Sequence, residues 1–277
     1  MSDATGPEKM RSPRISVVTV CLNSVGTIVE ALDSVASQTG ADVEHIAIDG
    51  ASTDGTAELL ESRRSQLATL VSERDAGLYH AMNKGINLAS GEVIGFLNAD
   101  DAYADAQVLA RIAQAFSDSR TEACYGDLVY VDKADPGRIV RYWKSGPYRP
   151  GLVESGWMPA HPTLFVRTAI LRELGGFDTR YRYQSDFELM LRLFAKRGIV
   201  SAYIPEILVR MRAGGHSNRS LKNVLRGNLE SYSAARAHGV ATSPLWIARK
   251  LSHRVGSFFA RPSPADRRRL KEEGGKP

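Results

Sequence analysis

The sequence has few of the features that mark secreted, membrane-spanning and zinc-binding proteins. Its two cysteines, Cys21 and Cys124, can supply neither a zinc cluster nor a disulfide framework, so we predict two buried free thiols. No stretch approaches the ~20 continuous apolar residues that span a bilayer, and residues 1–14 have no apolar core like that of a signal peptide. We therefore expect a cytoplasmic protein.

Signatures of dinucleotide and nucleic-acid binding are also missing. No G-x-G-x-x-G follows the first predicted strand, which counts against a dinucleotide dehydrogenase. The net charge is +5, and much of the excess lies late, at Arg249-Lys250 and at Arg267-Arg268-Arg269. Because no RNA- or DNA-reading motif accompanies these residues, we predict no nucleic-acid partner, and the charge favours some other acidic surface.

Apolar strands alternate with amphipathic helices in the first half of the chain. Runs typical of buried strands occupy residues 15–20, 43–48, 67–72 and 93–97. The order predicts an α/β fold with a mostly parallel, doubly wound sheet. We expect a disordered lead-in at 1–13, one domain at 14–240 and a basic amphipathic tail at 241–277.

Carboxylates follow these predicted strands. Asp49, Asp75, Asp100 and Asp101 all stand at strand ends, and ligands of open α/β sheets bind just beyond the carboxyl ends of the strands. Adjacent carboxylates such as Asp100 and Asp101 repel each other, which favours a bound cation or cationic substrate. The alternative is that one of them caps the next helix.

Three other segments allow more than one interpretation or indicate a loop. Residues 49–56 form a Gly-rich, hydroxyl-rich stretch that offers N–H groups to an anion or a ribose, or else a tight turn with a capping residue. Ser185 or Asp186 is the expected N-cap of an amphipathic helix. Residues 209–217 are predicted to form a charged, flexible loop.

The tail from 244 to 259 alternates bulky apolar residues with cations. An arrangement with Trp and Phe on one side and Lys, Arg and His on the other describes a helix in a membrane interface. The same pattern also fits a helix that packs on the domain. Both interpretations stay open at the level of sequence.

Several short stretches, none specific alone, resemble one family through their order and spacing. They are Thr19-Val20-Cys21-Leu22-Asn23, residues 49–56, Asp75-Ala76-Gly77, Ala81-Met82-Asn83-Lys84-Gly85, Asn98-Ala99-Asp100-Asp101, Gly175-Gly176-Phe177-Asp178 and Ser185-Asp186. Together they resemble the inverting family 2 glycosyltransferases with the GT-A fold, in particular bacterial enzymes that build exopolysaccharide or glycolipid glycans.

The resemblance implies a Rossmann-like half at 14–131 that holds a nucleotide-sugar donor, an acceptor half at 132–240, and C-terminal helices. Asp101 would bind Mg²⁺ or Mn²⁺, with His216 as a candidate further ligand. Asp186 stands at the position of the catalytic base. The residues implied to surround the donor are Thr19, Asn23, Asp49, Asp75, Asn83 and Asp100.

The implied reaction is a direct displacement, with inversion, by a hydroxyl of a glycan or lipid-linked acceptor, and an anionic membrane surface is a candidate partner of the tail. Two residues depart from the family pattern, because Gly50 and Asn98 stand where many relatives have Asp. A nucleotidyltransferase and a non-catalytic nucleotide-sugar-binding protein remain as alternatives.

Overall fold

The computed structural model describes residues 12–214, 221–243 and 245–263, together with 266 and 270. The predicted lead-in up to residue 11, His216 and the arginines at 267–269 lie outside the described residues. Within the described part, no helix is long and apolar enough to cross a membrane. Cys21 and Cys124 are buried and free, as predicted.

One mixed sheet runs through the domain. Its strands are β1 (Ile15–Cys21), β2 (Val43–Asp49), β3 (Thr69–Ser72), β4 (Val93–Phe96), β5 (Asp101–Tyr103), β6 (Ala123–Val131), β7 (Ile139–Trp143), β8 (Phe165–Arg167) and β9 (Ser201–Arg212). Their spatial order is β3-β2-β1-β4-β8-β6-β9-β5, with β7 also paired to β6. The longest pairings, β1 with β2 and β6 with β9, are parallel.

Eight described helices accompany the sheet. They are α1 (Ile28–Ala36), α2 (Thr56–Ser62), α3 (Leu78–Leu88), α4 (Val108–Ala115), α5 (Thr168–Glu173), α6 (Ser185–Met190), α7 (Leu221–Ala237) and α8 (Leu245–Phe259). A π-helical segment, Leu191–Lys196, continues α6, and short 3-10 turns lie at Val153–Ser155 and His161–Thr163. The predicted β-α alternation of the first half is confirmed.

The first half is built on continuous apolar strands. Every residue of β1 and β4 is buried, as expected for parallel strands covered on both faces. Helix α3 lies close to β1 because Gly85 has no side chain: a Cβ there would stand 2.4 Å from Cγ1 of Val18. This packing fixes the start of α3 beside the carboxyl ends of the strands.

The second half adds strands of both directions. β8 is antiparallel to β4, β6 is parallel to β9, and β5 is antiparallel to β9. The predicted loop at 209–217 is therefore wrong as far as Arg212, because β9 continues to that residue between β6 and β5. Val209 is buried there, and the pairing gives Asp101 a strand neighbour, Met211.

Helix α8 packs on the domain through one face. Trp246 is only 4% exposed and its indole Nε1 donates to the carbonyl oxygen of Glu154 at 2.7 Å. Lys250, one turn later, is also buried. The expected separation of aromatic residues from cations is thus wrong at Lys250, which lies on the same packed face as Trp246.

Candidate active site

The carboxyl ends of four neighbouring parallel strands form the polar edge of the sheet. The order β3-β2-β1-β4 brings Asp75, Asp49, Asn23 and the pair Asp100-Asp101 to this edge in that sequence. The convergence of acidic groups predicted from the strand ends is confirmed.

The loops after β1 and β2 are joined by hydrogen bonds. Asn23, in a left-handed conformation with φ 52°, donates its N–H to Ser52 Oγ at 2.8 Å and accepts from the N–H of Thr53 at 2.9 Å. Val25 donates its N–H to Asp54 Oδ2 at 3.1 Å. These hydrogen bonds hold residues 49–56 as a turn against the loop after β1. The amide side chain of Asn23 contributes one of them.

The carboxylate of Asp49 stabilises this turn through hydrogen bonds. It is fully buried and accepts from the N–H of Ser52 at 3.1 Å, from Ser52 Oγ and from Ser72 Oγ at 2.6 Å. Burial opposes ionisation, but the hydrogen bonds from Ser52 and Ser72 outweigh it and lower the pKa of Asp49. Asp49 is thus an ionised anchor that joins the loops after β2 and β3.

The side chain of Thr19 faces the interior of the sheet. It is fully buried, and its hydroxyl lies 2.9 Å from Nε2 of His45 on β2. Burial lowers the pKa of His45 to about 4, so the ring is neutral at physiological pH. The hydroxyl of Thr19 is therefore engaged within the sheet, and the placement of Thr19 near the donor stays a prediction.

Asp75 keeps an oxygen free at the edge. Its Oδ1 lies 2.8 Å from the Lys84 ammonium, which also pairs with Glu73 at 2.7 Å. Its Oδ2 is buried and has no hydrogen-bond partner within the described residues. A buried carboxylate oxygen without a donor is costly, so this atom is suited to a hydroxyl or N–H of a bound ligand.

Asn83 has a structural role that the sequence interpretation missed. Its Nδ2 donates to the carbonyl oxygen of Phe177 at 2.8 Å, and its Oδ1 accepts from the N–H of Phe177 at 2.7 Å. A Cβ on Gly176 would stand 2.3 Å from that Oδ1. Each end of the amide is bonded to the backbone of Phe177, and contact of Asn83 with the donor stays a prediction.

The acid pair lies at the far end of the edge. Asn98 Nδ2 donates to Asp101 Oδ2 at 2.9 Å, while Asp101 Oδ1 is buried and accepts no hydrogen bond from the described residues. Burial, followed by the neighbouring Asp100, raises the pKa of Asp101 well above its ordinary value. The helix-cap alternative is wrong, because α4 begins after Gln107 and Asp101 lies in β5.

Two arginines of β9 stand beside the acid pair. Arg212 forms an ion pair with Glu30 of α1, and Arg210 lies 3.6 Å from the same carboxylate. Burial raises the pKa of Asp100, and the charge of Arg212 opposes that rise. These cations were missed in the sequence because residues 209–212 were assigned to a loop. The alternation Val-Arg-Met-Arg was the signal for a strand with one polar face.

Asp186 lies in the first turn of α6. The N-cap is Gln184, whose side chain makes no capping bond, so the expectation of Ser185 or Asp186 as N-cap is wrong. Asp186 Oδ1 accepts from the N–H of Phe187 at 2.8 Å. Burial, and then the negative charge of Asp186, raise the pKa of Tyr79.

A cluster of rings connects Asp186 to β4. The His161 ring stacks on Phe96, with 5.9 Å between centroids, and Phe177 packs against Phe96 and Tyr79 at 5.2 and 5.3 Å. Burial lowers the pKa of His161, and the charge of Asp186 acts in the opposite direction. Phe96 is the last residue of β4, so the cluster joins Asp186 to the strand that leads to the acid pair.

The donor atoms at the acid pair suit a hard divalent cation. The free Oδ1 of Asp101, next to a second carboxylate, matches the oxygen ligands that Mg²⁺ and Mn²⁺ prefer. Within the described residues, no group of three His, Cys, Asp or Glu side chains could hold a metal ion. A cation here would therefore share its coordination with a bound diphosphate or water.

Comparison with known proteins identifies the family. Residues 16–173, more than half of the chain, match the family described as Glycosyl transferase family 2. The chain belongs to this family. It is a glycosyltransferase, and its sheet with flanking helices is a GT-A fold.

Two curated relatives illustrate the similarity. The chain is 28% identical over 214 residues to a PGL/p-HBAD biosynthesis glycosyltransferase of Mycobacterium bovis, covering 76% of this chain and 81% of that protein. It is 30% identical over 220 residues to the O-antigen biosynthesis protein RfbC of Myxococcus xanthus, covering 76% of this chain and 16% of that protein.

Solved structures show the same fold. The mannosyltransferase PcManGT of Pyrobaculum calidifontis, in complex with GDP-Man and Mn²⁺, aligns with a TM-score of 0.61 over 97% of this chain and 81% of its own, at 18% identity. S. aureus TarS in complex with UDP aligns with a TM-score of 0.60 over 88% of this chain and 72% of its own, at 16% identity. At these identities the similarity concerns the fold alone.

Proposed function

We propose that this glycosyltransferase is metal-dependent and inverting, and that it moves a sugar from a nucleoside diphosphate donor to a hydroxyl of a glycan or lipid-linked acceptor. The observation that carries the proposal is the buried Asp101 carboxylate with its free Oδ1 at the start of β5. Nucleotide sugars in the related structures, and Mn²⁺ in one of them, support it.

On the donor side, the residues of this chain bind and orient. Asp75 offers its free Oδ2 to a polar group of the nucleoside or ribose, and Asp101 would hold Mg²⁺ or Mn²⁺, with Asp100 beside it. When bound, the divalent cation supplies neutralisation of the charge that develops on the leaving diphosphate. Arg210 and Arg212 add positive charge beside the same position.

On the acceptor side, Asp186 acts as general base. A carboxylate at this position removes the proton of the acceptor hydroxyl as its oxygen attacks the anomeric carbon. The hydrogen bond from the N–H of Phe187, at 2.8 Å, holds the carboxylate in place. One base and one displacement invert the anomeric configuration, because no covalent glycosyl-enzyme intermediate forms.

Two substitutions, each of which keeps the volume, test the assignment. Asp186→Asn should lower transfer by ~10³-fold and leave donor binding intact, because the base contributes to the chemical step. Asp101→Asn should instead weaken binding of UDP or GDP in the presence of Mn²⁺. Transfer kinetics and calorimetric titration measure the two effects separately.

The matched control is Asp118→Asn, since Asp118 is exposed and pairs only with nearby Arg120. Its transfer rate should equal that of the wild type. Transfer at nearly the wild-type rate by Asp186→Asn would contradict the assignment of Asp186 as the general base. Transfer of a nucleoside monophosphate from a nucleoside triphosphate to a sugar phosphate, with release of pyrophosphate, would support the nucleotidyltransferase alternative.

The acceptor class is the second part of the proposal. The M. bovis relative is named for PGL/p-HBAD biosynthesis and the M. xanthus relative for O-antigen biosynthesis. These names favour a glycolipid or a lipid-linked glycan as acceptor, and we propose that the protein works at the cytoplasmic face of the membrane. Helix α8 offers Leu245, 76% exposed, and Arg249 one turn later on its outer face.

A paired substitution on this outer face tests membrane association. Leu245→Ser with Arg249→Gln should reduce co-sedimentation with anionic vesicles roughly fivefold, since each cation near such a surface contributes about 1 kcal/mol. Val200→Ser with Lys196→Gln, exposed positions outside α8, is the control. Equal co-sedimentation of both variants and wild type would refute the association. Deleting α8 is a poorer test because it also removes Trp246 from the core.

A further inference from the structure

Lys250 of α8 is a charged residue in a buried position. Its side chain is only 1% exposed, its ammonium donates to Gln184 Oε1 at 2.8 Å and to Ser231 Oγ, and it lies 4.7 Å from the centroid of the Phe187 ring. Removing an ammonium from water costs several kcal/mol unless local bonds offset it. A methionine of the same length would avoid that cost, so the charge calls for an explanation.

The contacts of Lys250 lie on both sides of Asp186 in the chain. Gln184 is the N-cap of α6, and Phe187 is the residue whose N–H donates to the Asp186 carboxylate. The ammonium therefore contacts the side chains of Gln184, two residues before the proposed base, and of Phe187, the residue after it.

The segment before Asp186 is hydrogen-bonded to the C-terminal helices. Tyr183 and Gln184 donate their N–H groups to Glu230 Oε2 of α7 at 2.7 and 3.1 Å. Ser231 Oγ donates to the same Gln184 Oε1 that Lys250 reaches, at 2.8 Å. Gln184 makes no side-chain capping bond to α6, so the first turn of the helix has no N-cap side chain of its own. Its orientation depends on these external contacts.

Helix α8 also packs against residues 153–156, which fixes the position of Lys250. Trp246 packs edge-to-face on Phe187, with 5.8 Å between centroids, and bonds the Glu154 carbonyl. His253 Nε2 lies 2.8 Å from Ser155 Oγ. A Cβ on Gly156, which has φ 93°, would stand 2.5 Å from the Cβ of Lys250. The helix thus bridges the 153–156 segment and the first turn of α6.

We propose that Lys250 is a positioning residue for sugar transfer, which acts through Gln184 to hold the Asp186 carboxylate in line with the acceptor hydroxyl. This inference rests on the assignment of Asp186 as base. It makes α8, far along the chain in the segment expected to be a separate tail, part of the reaction machinery. A purely structural role would lower stability and leave the turnover of folded molecules unchanged.

The first test replaces the charge and keeps the shape. Lys250→Met should lower kcat for transfer about 10- to 100-fold, because small displacements of a reacting group cost that much. The donor KM and the affinity for UDP or GDP with Mn²⁺ should stay within about twofold of wild type. The unfolding midpoint should change little, since apolar replacement of a buried charge is often neutral. Lys196→Met, an exposed lysine, is the control.

Two further variants separate positioning from stability. Lys250→Gln keeps an N–H donor toward Gln184 and should recover most of the lost kcat. Gln184→Met removes the same contact from the other side, which preserves the test if Lys250→Met does not fold. The double variant with Lys250→Met should be no slower than the slower single variant, because both break one interaction.

Three results would overturn the inference. They are an unchanged kcat in a folded Lys250→Met protein, a loss confined to the donor KM, and multiplicative losses in the double variant. Asp186→Asn separates this failure from that of the proposed function. If it is inactive while Lys250→Met is normal, the base stands and the positioning role falls. If it transfers normally, the base assignment itself fails.

Discussion

The donor side and the acceptor side of this site are constructed differently. On the donor side, Asp75 and the pair Asp100-Asp101 follow β3 and β4, and they lie at one edge of the sheet because parallel strands end there. On the acceptor side, Asp186 lies in the first turn of α6, which is held by Glu230 of α7 and Lys250 of α8. The first arrangement is local in sequence, whereas the second depends on contacts between distant segments.

This difference bears on stability as well as on recognition. The loops of the donor side are fixed by bonds among residues 19–56 and by buried strands beneath them, so a single substitution leaves most of the framework in place. The first turn of α6 depends on a few long-range bonds. Substitutions between the donor side and the acceptor side should therefore reduce stability more than substitutions within the donor-side loops.

Asn83 lies between the two sides, and replacing it should reduce stability more than replacing His45. Asn83→Ala removes both partners of the Phe177 backbone, and two unsatisfied backbone groups should cost about 3 kcal/mol in unfolding free energy. The Phe177 ring packs on Tyr79, whose pKa is raised by the charge of Asp186, so kcat should fall while affinity for the donor nucleotide stays unchanged. Urea unfolding and calorimetric titration give the two quantities.

Asn87→Ala is the matched control, because Asn87 is exposed on the same helix; its unfolding free energy should stay within about 0.5 kcal/mol of wild type. A large loss of donor affinity in Asn83→Ala, with stability retained, would contradict the clamp. That outcome would restore Asn83 to the donor side and weaken the distinction between the two regions.

The sequence predicted the strand framework and the acid pair because both depend on local pattern. The apolar run 93–97 followed by Asn98, Asp100 and Asp101 indicates a buried strand with oxygen ligands at its end, whatever surrounds it. Side-chain direction was harder to predict. Thr19 and Asn83 occupy the expected elements, but the neighbours that bind them, His45 and Phe177, are known only once the strands and helices are packed.

Errors in the second half have one physical source. Residues 209–212 form a strand because β6 and β5 flank them, and Lys250 is buried because Gln184 and Ser231 accept hydrogen bonds from its ammonium. Sequence periodicity describes one element at a time, so it assigned Arg210 and Arg212 to a loop and Lys250 to a solvated face. The partners that decide these positions lie between 19 and more than 60 residues away in the chain.

His45, inside the donor half, should have a smaller effect on stability than Asn83. It tests whether contacts within the donor half stabilise that half. Its folded pKa of about 4 lies below the ordinary value of 6.5, so the unfolded chain binds an extra proton between these values. Stability is complete above pH 6.5 and decreases as the pH falls. At about pH 5 this residue should cost about 2 kcal/mol relative to pH 7.5.

His45→Gln, which does not titrate, should remove that part of the pH dependence, as measured by urea unfolding at about pH 5 and about pH 7.5. His80→Gln, at an exposed histidine of α3, is the control and should retain the full slope. A wild-type slope in the His45 variant would mean that the ring is protonated in the folded state. The bond between Thr19 and His45 would then carry a buried charge, and the donor half would depend on a compensating group beyond its own strands.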